Sequence, residues 1–416
     1  MVTLMNFNTR FLLFALATLV CGALSCGRPT TADPTSGEEQ TEQVMLRREV
    51  LATIASQVIV PTYDTFTNQI NTLTNATQAL SSAPTSTEAL STARDSWKEA
   101  MRTWQMAEVF QIGPAGLMEQ VAGGEDLRDA IYSWPLTNTC RIDQELVKQA
   151  YTTPGYVSSQ LINVRGLDAL EYLLFHEGTE NSCAPNAPIN SDGSWAALSA
   201  EDLQQRRAEL AHAISQDLEA QATRLHDHWR AGQGGKNFEE QLAQAGLSSQ
   251  TYASTQEALN ALSDAMFYIE KETKDMKLAI PAGLSDCTAD TCPEALEHPY
   301  ANFSLEASRA NHMAFKAIYF GHLDEASQKS AEVKGFDDLL AEAGHAELDQ
   351  RIQAQLDEII AAHDAIDTSL EVALEEDLPK VIALYESSQQ LGVLLKTQFI
   401  SVLDLELPQR AEGDND

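Results

Sequence analysis

The chain has 416 residues and a formal net charge of −34, from 61 acidic against 27 basic side chains. A surface that acidic repels phosphate backbones, which argues against nucleic acid as a partner and suits cationic ligands or metal ions. Apolar residues at 44% are enough for sizeable cores, and aromatics at only 7% beside abundant Ala, Leu, Gln and Glu favour helix over sheet.

Arg10 precedes the apolar run FLLFALATLVCGAL, which has the length of an export signal and is short for a spanning helix. The run ends in ALSC, and the small residues before Cys26 resemble a bacterial lipobox. Residues 1–26 are therefore expected to be a signal peptide, with Cys26 lipidated as the mature N-terminus. Ordinary secretion without a lipid is the alternative. Residues 27–43, rich in Thr, Pro, Ser and Glu, read as a flexible tether. The expected location is the bacterial cell envelope, lipid-anchored, in the periplasm or at the outer-membrane surface, with the membrane as a partner.

From Val44 to Met118 apolar residues recur at three- and four-residue spacing, the signature of helix. Pro61 should kink or break the first helix. The stretch SSAPTSTEAL supplies a turn and a capping Ser or Thr, with Glu88 just after it. The next helix should run to Gly113-Pro114, with Trp97, Met101, Trp104 and Glu108 on one side. Residues 119–162 look irregular. A helix over RGLDALEYLLF follows, then a loop, then a long polar-faced helix from Trp195 to Trp229. GQGGKN at 232–237 reads as an interdomain break.

In the second half EALNALSDAMFYIEKETKDMKLAIP reads as one helix ended by Pro281 to Gly283, and SLEASRANHMAFKAIYFG as another closed by Gly321. Helical patterns continue to Leu403. The fold class is all-α, with an N-terminal helical domain at 44–231 and a C-terminal one at 238–410. STEALSTARDSWKEAM faintly echoes STQEALNALSDAMFYIE, so duplication of a helical unit is possible.

Four cysteines remain in the exported part, an even number in an oxidising compartment, which suggests two disulfides. Three pairings are open. Cys287 with Cys292 would close a short loop, leaving Cys140 with Cys183.

RGLDALEYLLF poses the sharpest question. At 100° per residue Leu167, Leu170, Leu173 and Leu174 share an arc, and Glu171 projects inside its edge. A carboxylate there should be partly buried and needs a partner. Lys277, the Trp104 indole or Arg141 could supply it. Asp168, one turn back, could instead join Glu171 in presenting oxygens to one cation. A buried structural tie and a ligand site are both open readings.

The chain resembles the imelysin family of bacterial cell-envelope proteins over nearly all of its mature length. The resemblance rests on VIVPTYDTF, DSWKEAMRTWQMAEVFQIGP, IYSWPLTNTCRID, RGLDALEYLLF, DMKLAIPAG and EHPYANFSLEASRAN, in that order. It implies two helical-bundle domains with a site in the cleft at their interface. It also implies an association with iron-regulated uptake. The family signature is GxHxxE. Gly166 and Glu171 match it, but Asp168 stands where the family has His, replacing a borderline metal ligand with a hard oxygen. That weakens the metallopeptidase chemistry once ascribed to the family, and no HExxH or G-x-S-x-G supports proteolysis independently. No catalytic residue is therefore assigned.

The expected function is binding of iron, another hard cation or an iron-bearing ligand, in uptake or homeostasis, with iron-uptake components as partners. A degenerate metallopeptidase and a protein- or peptide-binding scaffold are the rival readings. Asp168 and Glu171 are the expected metal residues. Glu108, Trp104, Asp275, Lys277 and Glu297 are expected around the ligand.

Overall fold

The computed structural model describes residues 34–230, 237–323, 330–408 and 411. The expected signal peptide with Cys26, and all but Asn237 of the expected break at 232–237, lie outside these residues. Residues 42–416 form one compact unit. Helices and turns make up the described residues, and no strand occurs among them. None of these helices is long and apolar enough to cross a membrane.

The first helix, α1 (Pro34–Ile54), takes in the described end of the segment expected as a tether. A π-helical turn, Ala55–Ile59, joins it to α2 (Val60–Ser82). Pro61 stands in the first turn of α2, and the wider π turn accommodates its ring and its missing N–H. The expected kink or break is thus a local change of pitch, and the chain stays helical through Pro61. Helix α3 (Thr87–Ala107) is capped by Ser86, whose hydroxyl accepts from the Ala89 amide at 3.2 Å. It tightens into a 3-10 turn at Glu108–Phe110 before reaching Gly113.

The stretch expected to be irregular is mostly turns, but it contains α4 (Leu127–Ile131) and α5 (Thr139–Lys148), the latter capped by Asn138. Next come α6 (Leu167–Phe175), α7 (Pro188–Ser191) and α8 (Ala200–Trp229). A capping box between Ser199 and Asp202 starts α8 at Ala200 rather than at Trp195. Then follow α9 (Phe238–Ala243) and α10 (Thr255–Met266). The helix expected to run on to Pro281 instead changes to π geometry over Ile269–Ala279. Helix α11 (Ser304–Phe320) ends at Gly321, which takes the left-handed φ of +78°. The chain finishes with α12 (Phe336–Glu342), α13 (Ala346–Ala365), α14 (Leu370–Glu376), α15 (Leu378–Leu394), a second π turn at Leu395–Phe399, and α16 (Ile400–Val402).

Packing follows the apolar faces. Helix α2 packs most closely on α3 and α8, and α6 lies against α8 and α3. Helix α11 packs on α3, on the π segment and on α13, while α15 packs on α13 and on the π segment. The face of α3 expected from the sequence is the buried one: Trp97, Met101, Trp104 and Glu108 are all at most 1% exposed. The Trp104 ring lies 4.9 Å from Phe66, in the core. Both disulfides form as expected, Cys140 with Cys183 and Cys287 with Cys292.

Candidate ligand-binding cleft

Helix α6 is held at both ends. At its start Gly166 has φ +89°, and a Cβ there would meet the Ile131 carbonyl oxygen at 2.6 Å, so the position requires glycine. The Trp97 indole donates to the Leu167 carbonyl at 2.8 Å. At the other end Arg94 Nε donates to the Leu174 carbonyl at 2.7 Å, and Arg207 to the carbonyls of His176 and Gly178. Cations at a helix C-terminus satisfy its orphan carbonyls and complement its dipole. The helix therefore presents Asp168 and Glu171 from a fixed frame.

Glu171 is 4% exposed, as its place on the apolar arc requires. Its partner is none of the three that the sequence suggested. His298 Nδ1 lies 2.8 Å from Oε2, and Oε1 accepts from the amides of Tyr300 and Ala301, each at 3.1 Å. All three donors belong to the loop before α11. Lys277 pairs with Glu297 at 3.0 Å, and Arg141 with Glu145 at 3.2 Å. The Trp104 indole nitrogen has no partner among the described residues. Trp104 is a core side chain rather than a cleft residue.

Behind Glu171 lies a buried network. Glu297 Oε1 accepts from Gln105 at 2.9 Å and from the Tyr132 hydroxyl at 2.7 Å. Lys277 donates to Gln105 Oε1 at 2.7 Å and to Asn311 Oδ1 at 2.9 Å. Glu108, fully buried, pairs with Arg128 at 3.0 Å and accepts from Tyr268 at 3.0 Å. Three carboxylates thus each have a cationic partner: Glu108 with Arg128, Glu297 with Lys277, and Glu171 with His298, whose Nε2 also lies 3.8 Å from Glu297. Buried charge is tolerable only when paired in this way.

The electrostatics follow. Burial disfavours the His298 imidazolium, but Glu171 and then Glu297 outweigh it and raise its pKa above the usual value. Burial also opposes ionisation of Glu297, yet Lys277, His298 and the Tyr132 hydrogen bond together lower its pKa. Burial is the largest influence on Lys277 and lowers its pKa against the pull of Glu297 and Glu108. Tyr132 and Tyr268 are pushed far up, by burial first and by the neighbouring carboxylates second, so both stay protonated donors.

Asp168 is different. It is 6% exposed, and its Oδ2 accepts from Ser133 at 2.6 Å and Thr137 at 2.5 Å. No cationic side chain among the described residues bonds to it. Burial raises its pKa, against the two hydroxyls and the nearby amide of Ala169. Its Oδ1 has no hydrogen-bond partner among the described residues.

In front of these groups opens a cleft of about 310 Å³. Asp168, Glu171, Glu294 and Glu297 line it together with Trp134 and Tyr300. No lysine, arginine or histidine is among its lining residues. The structure thus brings together Asp168, Glu171 and Glu297, with Lys277 and Glu108 in the polar layer behind. Asp275 does not join them; it pairs with Lys274 at 2.7 Å and Lys271 at 3.5 Å.

The residues do not fit a resident metal ion. Both Glu171 oxygens are engaged, and no group of three or more His, Cys, Asp or Glu side chains poised around a cation occurs among the described residues. Sequence reasoning missed His298, Gln105, Asn311, Tyr132, Tyr268 and Arg128. The one signal for His298 was its place directly after Glu297.

The family model described as Imelysin matches residues 59–396. A crystal structure from Parabacteroides distasonis, of a chain provisionally described as an iron-regulated protein A precursor, matches with a TM-score of 0.66 at 20% identity, over 90% of this chain and 96% of that one. An imelysin-like protein from Psychrobacter arcticum matches with a TM-score of 0.65 at 17% identity, over 87% of this chain and 97% of that one. At such identities the likeness is one of fold. No curated protein matches the chain significantly.

Proposed function

The chain belongs to the imelysin family, and we propose that it is a non-catalytic binding protein of the bacterial cell envelope whose cleft receives a positively charged ligand. One observation carries the proposal: four carboxylates line the cleft and no cationic side chain does. His298 and Lys277 offset Glu171 and Glu297 from behind, so Asp168 and Glu294 carry the excess negative charge of the cleft, which concentrates ligands of the opposite sign.

Iron is the cargo this reading expects, in uptake or homeostasis, and an iron-bearing ligand suits the cleft better than a bare ion. A bare ion would have to displace the donors that already hold Glu171 and Glu297. The relative from Parabacteroides distasonis, provisionally described as iron-regulated, supports the association at the level of fold. The same reading keeps two helical bundles, related by duplication, on either side of the cleft. It also keeps a lipid anchor at Cys26 and uptake components of the envelope as partners.

The test is a titration of the purified full-length chain in mild detergent with Fe(III), Fe(II), Zn(II) and Ca(II), with small organic cations, and with anions of matched size. Saturable binding of a cation, weakened by Asp168→Asn at an unchanged melting temperature, is the expected result. Preferential binding of the anions would overturn the proposal. Chelator-sensitive cleavage of an unfolded protein substrate would replace it with a metallopeptidase.

A further inference from the structure

We propose that the ligand recognised in the cleft is a small organic cation: a primary ammonium or guanidinium on a compact aliphatic or aromatic body, with Asp168 as its counter-ion. The inference rests on the reading of the cleft as a cation site and names an organic class of ligand for it in place of an iron-bearing cargo.

Three observations converge on this class. The first is which oxygen is available. Glu171 is held by His298 and two amides, and Glu297 by Gln105, Tyr132 and Lys277. Asp168, which lines the cleft and is 94% buried, has no hydrogen-bond partner for Oδ1 among the described residues. A buried acceptor left unmatched is costly, and a hydrogen-bond donor on a ligand would remove that cost. One unmatched, buried carboxylate oxygen suits an N–H donor. Calcium needs six to eight oxygen ligands and magnesium a near-ideal octahedron, and no such cluster is assembled among the described residues.

The second observation is the wall. Pro135, Met276, Ile280, Leu296 and Pro299 give the cleft an apolar lining beside its carboxylates. Bare ions have no use for such a wall, whereas the hydrocarbon body of an organic cation does. At about 310 Å³ the cleft lies at the small end of ligand pockets, which run from roughly 300 to 1,000 Å³, and this limits the body to a small molecule.

The third is aromatic. Trp134 and Tyr300 line the cleft, and Trp134 already takes a cation: Lys277 Nζ lies 5.5 Å from its ring centroid. The protein itself therefore seats an alkylammonium against this indole, the arrangement a ligand ammonium would find favourable.

The experiment is isothermal calorimetry on the full-length chain in mild detergent. The probes are benzylammonium and butylguanidinium, with benzyl alcohol and benzoate as neutral and anionic counterparts, and Fe(III) and Ca(II) alone. The two organic cations are expected to bind saturably, and the alcohol roughly ten- to a hundredfold more weakly, as loss of a charged hydrogen bond implies. Asp168→Asn is expected to remove that preference. Glu294→Lys, on an exposed cleft residue, is expected to weaken both cations without touching the buried network, and it keeps the test decisive if Asp168→Asn folds poorly. Equal binding of benzylammonium and benzyl alcohol overturns the inference. Binding of Fe(III) or Ca(II) with no organic cation bound also overturns it, while leaving the cation-site reading intact. Binding of benzoate alone overturns both.

Discussion

Glu171 on α6 and His298 in the loop before α11 meet at 2.8 Å across 127 positions of sequence, with both side chains buried. The contact binds the signature helix to the second half of the chain. Because the two amides of Tyr300 and Ala301 reach the other oxygen, Glu171 also fixes the path of the loop. Its substitution should therefore be felt on both sides of the cleft.

Glu171→Gln retains the shape and loses the charge. Hydrogen bonds to charged groups contribute about 1.5–3 kcal/mol, so the variant should be less stable by an amount on that order. Differential scanning calorimetry should show a lower Tm, and hydrogen exchange should show faster opening at the amides of Tyr300 and Ala301. An unchanged Tm with unchanged exchange would mean that the carboxylate charge is not what holds the loop.

The same pair has a pH signature. The folded-state pKa of His298 is raised above 6.5, so its contribution to stability is fully present below that value. It is lost as pH rises through the raised folded pKa. The stability difference between the parent chain and His298→Asn should therefore be largest in mild acid and shrink towards alkaline pH. A difference that grows with pH would contradict the imidazolium assignment, which NMR of the ring nitrogens can read directly.

Lys277 and Glu297 have side chains that are fully buried. Removing one partner leaves the other charge uncompensated, which typically costs about 3–5 kcal/mol, whereas removing both can be nearly neutral. Lys277→Met should accordingly be severely destabilised. Lys277→Met with Glu297→Gln should recover much of the loss. Chemical denaturation of the single and double variants measures the coupling, and additive losses would show that the pair does not act as a unit.

A second buried pair works in the opposite sense. His312 Nδ1 lies 3.2 Å from His363 Nε2. Burial is the largest influence on both, lowering His312 to about 4 and His363 well below 6.5. Their contribution is fully present above pH 6.5 and is lost as pH falls towards about 4. His363→Gln should flatten the acid limb of the stability curve. Melting temperatures measured between pH 7 and pH 4 test this, and an unchanged acid limb would count against it.

Much of this arrangement was legible in the sequence, and the illegible parts share a cause. The apolar arc of RGLDALEYLLF dictated that Glu171 would be buried, and four cysteines in an exported chain dictated two bridges. The identity of its partner was hidden because His298 sits in a loop without periodicity. Lys277, one of the three candidates, pairs instead with Glu297, the residue directly before His298 in that loop. Arg141 found a nearer acid at i+4, Glu145, a local competitor that the reading of Arg141 passed over. Asp275 faced two lysines on its own segment instead of the cleft.

Helix α3 carries a consequence for how this chain tolerates insertions. Trp97 pins the start of α6, Gln105 bonds both Lys277 and Glu297, and Glu108, just past the helix end, anchors Arg128. One rod therefore sets the register of polar contacts at three points along its length. Adding a single residue near Ala100 would advance everything beyond it by about 1.5 Å and 100°, moving Gln105 and Glu108 out of phase with Trp97 in one step. Side-chain repacking cannot absorb a displacement of that kind, so the middle of α3 should admit substitutions far more readily than changes of length.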